Sequence, residues 1–215
     1  MIPIWITQHM LKQKFDGYSK GPTSSGLTGL AVAERMLRDN GIYNVTVPCT
    51  PGALTDHYNP VERTVNLSEP VYNPCSIAAA AVAAHECGHA VQHATAYGPL
   101  TLRTALVPAV TFASSIVSWV LLAGILLIEV VPQIMLGGII LFARTTLFSF
   151  VTRPVEIDAS RRATRWLQTA GITTPANHAM AVSALRSAAY TYVVAALGSL
   201  ATPLYYASFL LRNDD

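Results

Sequence analysis

Two apolar stretches, about 107–128 and about 133–151, lie almost back to back, separated by a short segment holding Glu129 and Pro132. Spanning the hydrocarbon core of a bilayer takes about 20 apolar residues in a helix, and each stretch approaches or exceeds that length. A connection this short forces the two to run antiparallel as a hairpin. A third apolar stretch, about 187–210, is again of spanning length, with Pro203 tolerable as a kink. Charged residues make up only 12% of the 215-residue chain, about half the share usual for soluble domains. A membrane-embedded protein with a modest polar part is therefore expected.

Arginine and lysine assign the sides. Lys12, Lys14, Lys20, Arg35, Arg38, Arg63 and Arg103 precede the hairpin, and Arg153, Arg161, Arg162, Arg165 and Arg186 follow it, which is 12 of the 14 basic residues. The hairpin tip carries none. The positive-inside rule then puts both polar segments in the cytoplasm and the C-terminus opposite. Arg144 inside the second stretch is expected to face protein or snorkel. A net charge of +2 without a basic stripe is too small to argue for nucleic acid, and no nucleic-acid partner is expected. The three cysteines, Cys49, Cys75 and Cys87, show no C-x-x-C spacing and are expected to be free thiols. Residues 1–10 are too short to cross a bilayer, and no signal peptide is evident.

The polar part reads as α+β. Thr28-Gly29-Leu30 opens a helix with Leu30, Ala33 and Leu37 on one face, and Asn40-Gly41 stop it. Extended segments are expected at about 43–48, 53–58 and 63–68, the last two joined through Asn59-Pro60 as a hairpin. An alanine-rich helix runs from Ser76, its N-cap, to about Tyr97, with Gly98-Pro99 ending it. A new helix starts at Pro154, a residue suited to the first turn.

The alanine-rich helix carries His85-Glu86-Cys87-Gly88-His89. Four residues apart on a helix, the two imidazoles lie one turn apart and within roughly 40°, so both can reach one metal ion. Zinc takes neutral nitrogen donors and keeps a position open for water in catalytic sites. Glu86 is placed to take a proton from that water rather than to ligate. By composition alone H-E-x-x-H arises in roughly 0.5% of such chains, and this helix is otherwise alanine and valine, with little polar face for the motif to belong to. A third protein ligand is needed. His93 continues the row but stands roughly 12 Å above His85 on a straight helix, while His57 and His178 are candidates by residue type. The leading candidate is Glu156, in Pro154-Val155-Glu156-Ile157-Asp158-Ala159-Ser160, on the segment that the hairpin returns to the same side. A carboxylate with two histidines is an established catalytic set.

The runs GALTDHYNPVERTVNLSEPVY, SIAAAAVAAHECGHAVQHATAYGPLTLRTALVP and PVEIDASRRA resemble the membrane-bound neutral zinc metallopeptidases of the YugP type. The resemblance covers about residues 12–211 and includes SGLTGLAVAERMLRDNGIY. It implies a gluzincin-like set in which His85, His89 and Glu156 hold one zinc ion per chain and Glu86 is the general base. The stretch after Glu156 also looks like the third-ligand helix of the HtpX and Ste24 membrane proteases, which commonly carry Asp where this chain has Ser160. The family usually begins with a full N-terminal span, so this chain is expected either to be truncated there or to keep three spans.

The expectation is thus a mainly helical, minimal α+β zinc-protease domain with a small sheet and three transmembrane helices. Residues 1–105 form the catalytic part, 106–151 the membrane hairpin, 152–186 the third-ligand segment and 187–211 the C-terminal span. The function expected is an endopeptidase of the cell membrane, multi-pass and with its active site on the cytoplasmic side. It acts on protein or peptide substrates in or near the bilayer by metal-activated water. Substrate would lie extended along the hairpin of residues 53–68, with His57, Tyr58 and His178 as oxyanion candidates by type. The competing reading is a catalytically silent scaffold or chaperone that keeps zinc structurally, against which the intact Glu86 argues.

Overall fold

The computed structural model describes residues 25–187 without a break, together with residues 17, 21, 23, 205 and 208. The order of elements is α1 (Gly29–Asp39), β1 (Cys49–Thr50), β2 (His57–Asn59), β3 (Thr64–Ser68), α2 (Glu69–Tyr72), α3 (Ile77–Ala94), α4 (Gly98–Leu126) and α5 (Pro132–Thr169). Residues 175–187 are also helical. The chain divides into two units, Met1–Leu100 with Val155–Thr191 and Thr101–Pro154 with Tyr192–Asp215.

The first unit is built around α3. Ser76 caps it by accepting a hydrogen bond from the Ala79 amide at 3.1 Å, and almost every residue from Ile77 to Gln92 is buried. A helix buried all round needs small side chains if neighbours are to approach from several directions, which its alanines supply. Helix α1 packs on it through Val32, Ala33, Met36 and Leu37, with Leu30 only half-buried. The Thr28 hydroxyl caps α1 by accepting from the Ala31 amide, and Gly41 leaves the helix at φ +71°. The α5 residues Ala163 and Leu167 complete the same core, joined by Ile172.

The sheet order is β1-β3-β2, with β1 parallel and β2 antiparallel to β3. The expected hairpin forms, pairing His57 with Asn66 and Asn59 with Thr64. Asn59 shapes its turn by accepting from the Val61 and Glu62 amides. Two expected segments are shorter or displaced. Residues 43–48 pair only at Thr46, and the strand is Cys49–Thr50 instead. Pro48 has no N–H to donate, so it contributes only its carbonyl, which accepts from the Leu67 amide. Residues 51–54 bend, with Gly52 at φ +91° and Leu54 at φ +62°, so extended structure starts only at His57.

Helix α3 ends at Ala94, earlier than Gly98-Pro99 implied. Ala96 takes the left-handed conformation at φ +49°, the Tyr97 amide donates to the Gln92 carbonyl and the Ala96 amide to the His93 carbonyl. That is a Schellman stop with alanine where glycine is usual, and Gly98-Pro99 open α4 instead. Nor does a new helix begin at Pro154: α5 runs through it from Pro132 to Thr169.

In the second unit, α4 and the first part of α5 are each long and apolar enough to cross a membrane. Met135 backbone atoms come so near Gly124 that no side chain fits between them, and Val117, Leu121 and Met135 form a small core. Phe112, Trp119, Leu126 and Leu147 are exposed. Among the described residues these are the two helices that qualify as spans. The expected third span, about 187–210, and residues 1–10 lie outside the described residues apart from Ser187, Tyr205 and Ser208.

Candidate metal centre

The i,i+4 spacing on α3 does what helical geometry dictates. The His85 and His89 rings stand with centroids 4.8 Å apart and nearly perpendicular. Their Nε2 atoms lie 3.3 and 3.5 Å from a single atom, Oε2 of Glu156 on α5. One ligand atom from each of the three residues falls within 4.8 Å of the others. The side chains are between 10% and 16% exposed, so the cluster is largely shielded but not sealed from solvent.

What brings α5 so close is Gly88. A Cβ built there would lie 2.7 Å from the Ala159 carbonyl oxygen and 3.1 Å from its Cα. Glycine inside H-E-x-x-H lets the backbone of α5 touch that of α3 one helical turn beyond Glu156.

The outward ring nitrogens are also engaged. His85 Nδ1 is 3.1 Å from the Ser160 hydroxyl. His89 Nδ1 is 3.0 Å from Oε1 of Gln92. Sequence reasoning had not singled out Gln92, and its only signal was the three-residue spacing from His89 on the same helix. Glu86 is buried at 9% exposure between the two histidines in sequence.

Electrostatics follow from this packing. Burial opposes protonation of His89, but the hydrogen bond to Glu156 and the carboxylates of Glu86 and Glu156 outweigh it and raise its pKa. Cys87 is the reverse case: burial, and then the Glu86 charge, push its thiol far above the usual range. It packs toward the Ala33 carbonyl as an inert core residue. Cys49, Cys75 and Cys87 are all free.

The remaining candidates are engaged elsewhere. His93 Nδ1 is 2.8 Å from the Tyr58 hydroxyl, His57 Nε2 is 3.2 Å from the Asn66 amide, and His178 Nδ1 is 3.0 Å from the Thr173 hydroxyl. Among the described residues His85, His89 and Glu156 are the group that a metal could bind. The donor set fits zinc. Ligands at about 2.0–2.1 Å from a tetrahedral ion lie roughly 3.3 Å apart, close to the 3.3 and 3.5 Å that separate the two Nε2 atoms from Glu156. Two imidazole nitrogens facing one carboxylate oxygen can donate N–H groups to it or share a metal ion with it.

Comparison with known proteins agrees with this chemistry. Residues 1–211 match the family described as "Putative neutral zinc metallopeptidase". The chain belongs to this zinc metallopeptidase family. It is 43% identical over 208 residues to "Putative membrane protease YugP" of Bacillus subtilis (strain 168), covering 97% of this chain and 92% of that protein. No solved structure matches significantly. Family membership implies zinc, and the His85, His89 and Glu156 group is the place in this metallopeptidase that could hold it.

Proposed function

We propose that this chain is a membrane-embedded zinc endopeptidase that hydrolyses peptide bonds of membrane or membrane-near proteins. The observation that carries the reading is the convergence of His85 Nε2, His89 Nε2 and Glu156 Oε2 on one point. These three residues would hold one zinc ion per chain. When bound, the ion would supply Lewis acidity, lowering the pKa of a water and polarising the substrate carbonyl.

The protein's own residues do the rest. Glu86, on α3 between the two ligating histidines, accepts the water proton as general base. It then returns that proton to the leaving amine as the peptide bond breaks. Ser160 and Gln92 hold the outward nitrogens of His85 and His89, so each ring keeps Nε2 turned toward Glu156. Among the described residues strand β2 is an edge of the sheet, and an extended substrate would add beside it as a further strand.

The metallopeptidase is multi-pass, with residues 1–105 and 152–186 in the cytoplasm, 106–151 as a membrane hairpin and 187–211 as a last span. The one-sided distribution of arginine and lysine supports this orientation. The deciding experiment is Glu86→Gln in detergent-solubilised, zinc-loaded protein. Zinc content stays at one per chain while cleavage of an unfolded protein substrate disappears. Undiminished cleavage refutes the assignment of Glu86, and a wild-type protein that binds zinc but cleaves nothing favours a structural zinc scaffold.

A further inference from the structure

Gln92 is the largest polar side chain among the fully buried residues, at 0% exposure. A buried amide must satisfy both ends, because an unpaired polar group costs about 1–3 kcal/mol. Its nitrogen end faces two groups of α5: Nε2 donates to the Val155 carbonyl at 2.8 Å and to Asp158 Oδ2 at 2.9 Å. The same Asp158 oxygen accepts from Nε of Arg162 at 2.6 Å. That guanidinium stands over the Tyr97 ring, 5.7 Å from its centroid. Paired with a cation, Asp158 stays ionised and can only accept.

The orientation of the amide follows by elimination. Turning it over would place Oε1 against a carbonyl oxygen and a carboxylate oxygen, so Nε2 must face α5 and Oε1 must face His89. An amide oxygen only accepts, so the 3.0 Å contact requires His89 Nδ1 to carry a hydrogen. In the neutral ring Nε2 then has the free lone pair, and Nε2 is the nitrogen 3.5 Å from Glu156. His85 is not constrained in this way, because the Ser160 hydroxyl can donate or accept.

We propose that Gln92 is the positioning residue of the centre: held by Val155 and Asp158, it fixes His89 in the Nδ1–H tautomer and so selects Nε2 as the metal-binding nitrogen. Asp158 and Arg162 act through it, carrying the orientation from α5 to the end of α3. The inference rests on the zinc-site reading above, but the tautomer can be read in the metal-free protein, so the two can fail separately.

The experiment uses the full chain in detergent, labelled with 15N-histidine and stripped of metal. Long-range 1H–15N correlation, recorded at a pH above the His89 titration followed in the same spectra so that the ring is neutral, reads the tautomer of each ring. In the wild type His89 is Nδ1–H. Gln92→Met keeps similar volume but offers neither donor nor acceptor, and His89 becomes a tautomer mixture. Zinc affinity, measured by chelator competition, falls roughly tenfold to a hundredfold. Asp158→Asn leaves Gln92 in place but lets the amide turn over, and it shifts His89 in the same direction by less. This second variant decides if Gln92→Met does not fold. A His89 that stays fully Nδ1–H in the folded variant, with zinc affinity within about twofold of wild type, overturns the proposal. Loss of stability alone with the tautomer unchanged overturns it as well, leaving Gln92 a structural clamp. Wild-type protein that binds no zinc defeats the metallopeptidase reading instead, whatever His89 does.

Discussion

Replacing Gly88 by alanine asks one methyl group to fit where the backbones of α3 and α5 touch. The new Cβ would sit 2.7 Å from the Ala159 carbonyl oxygen, 3.1 Å from its Cα and 3.2 Å from its carbonyl carbon. A relaxed contact is nearer 3.5 Å, so the helices must part by roughly 0.8 Å. All three atoms are backbone, and no side chain can swing aside to absorb it. Overpacking of this kind costs about 1–3 kcal/mol, while alanine's better helix propensity offsets about 1 kcal/mol. The expected net loss, about 0–2 kcal/mol, lowers the thermal midpoint by at most roughly 8 °C for a chain of this size. The metal centre is affected more than the fold. Glu156 lies three residues before Ala159 on α5, and zinc ligand distances tolerate only about 0.2 Å. Zinc affinity in detergent, measured by chelator competition, should fall at least about tenfold, or about 1.4 kcal/mol. Gly137→Ala is the control, since nothing lies within 4 Å of a Cβ there, and it should leave zinc binding unchanged. A Gly88→Ala protein with a raised midpoint and unaltered zinc affinity would show that the glycine is not what sets the approach of Glu156.

Other outcomes test the centre and its setting. Glu156→Ala should lower zinc content well below one per chain while circular dichroism stays helical, and full zinc retention would remove Glu156 as a ligand. In chelator-stripped protein the raised pKa of His89 means the folded state holds a proton that the unfolded state releases. That contribution is complete below about pH 6.5 and is lost as pH rises through the folded value. The metal-free midpoint should therefore fall with rising pH in that window, and His89→Gln should flatten the dependence; an unchanged slope would exclude His89 as its source. A cysteine introduced at position 20, in a chain whose own cysteines are replaced, should resist a membrane-impermeant thiol reagent in intact cells. Labelling there would reverse the orientation.

Fold features written in short, local signals were legible in the sequence. Thr28 and Ser76 each cap a helix through the hydroxyl that made them candidates, and Asn59 forms the hairpin turn with its own side chain. What could not be read depended on partners far away in the chain. The first strand moved from 43–48 to Cys49–Thr50 because pairing is with β3, where the missing N–H of Pro48 matters only once the register is known. The stop of α3 fell on Ala96, a residue with no intrinsic preference for positive φ. Pro154 suits a helix start by its local preference, yet α5 continues through it.

The centre divides along the same line. His85, Glu86 and His89 are legible because a helix turns a spacing of four into a shared face. Glu156 is 67 residues beyond His89, and only its chemistry and its place after the hairpin marked it. Gln92 and Asp158 carried no such mark, since neither is a metal ligand here and an amide in a helix is ordinary. Their role exists only once α5 lies against α3, when the Val155 carbonyl and Asp158 take the amide nitrogen and leave its oxygen for His89. The identity of the ligands is therefore local information, while their protonation and aim are properties of the helix pair. A substitution that preserves H-E-x-x-H and Glu156 but separates α3 from α5 should consequently abolish zinc binding with every candidate ligand still present.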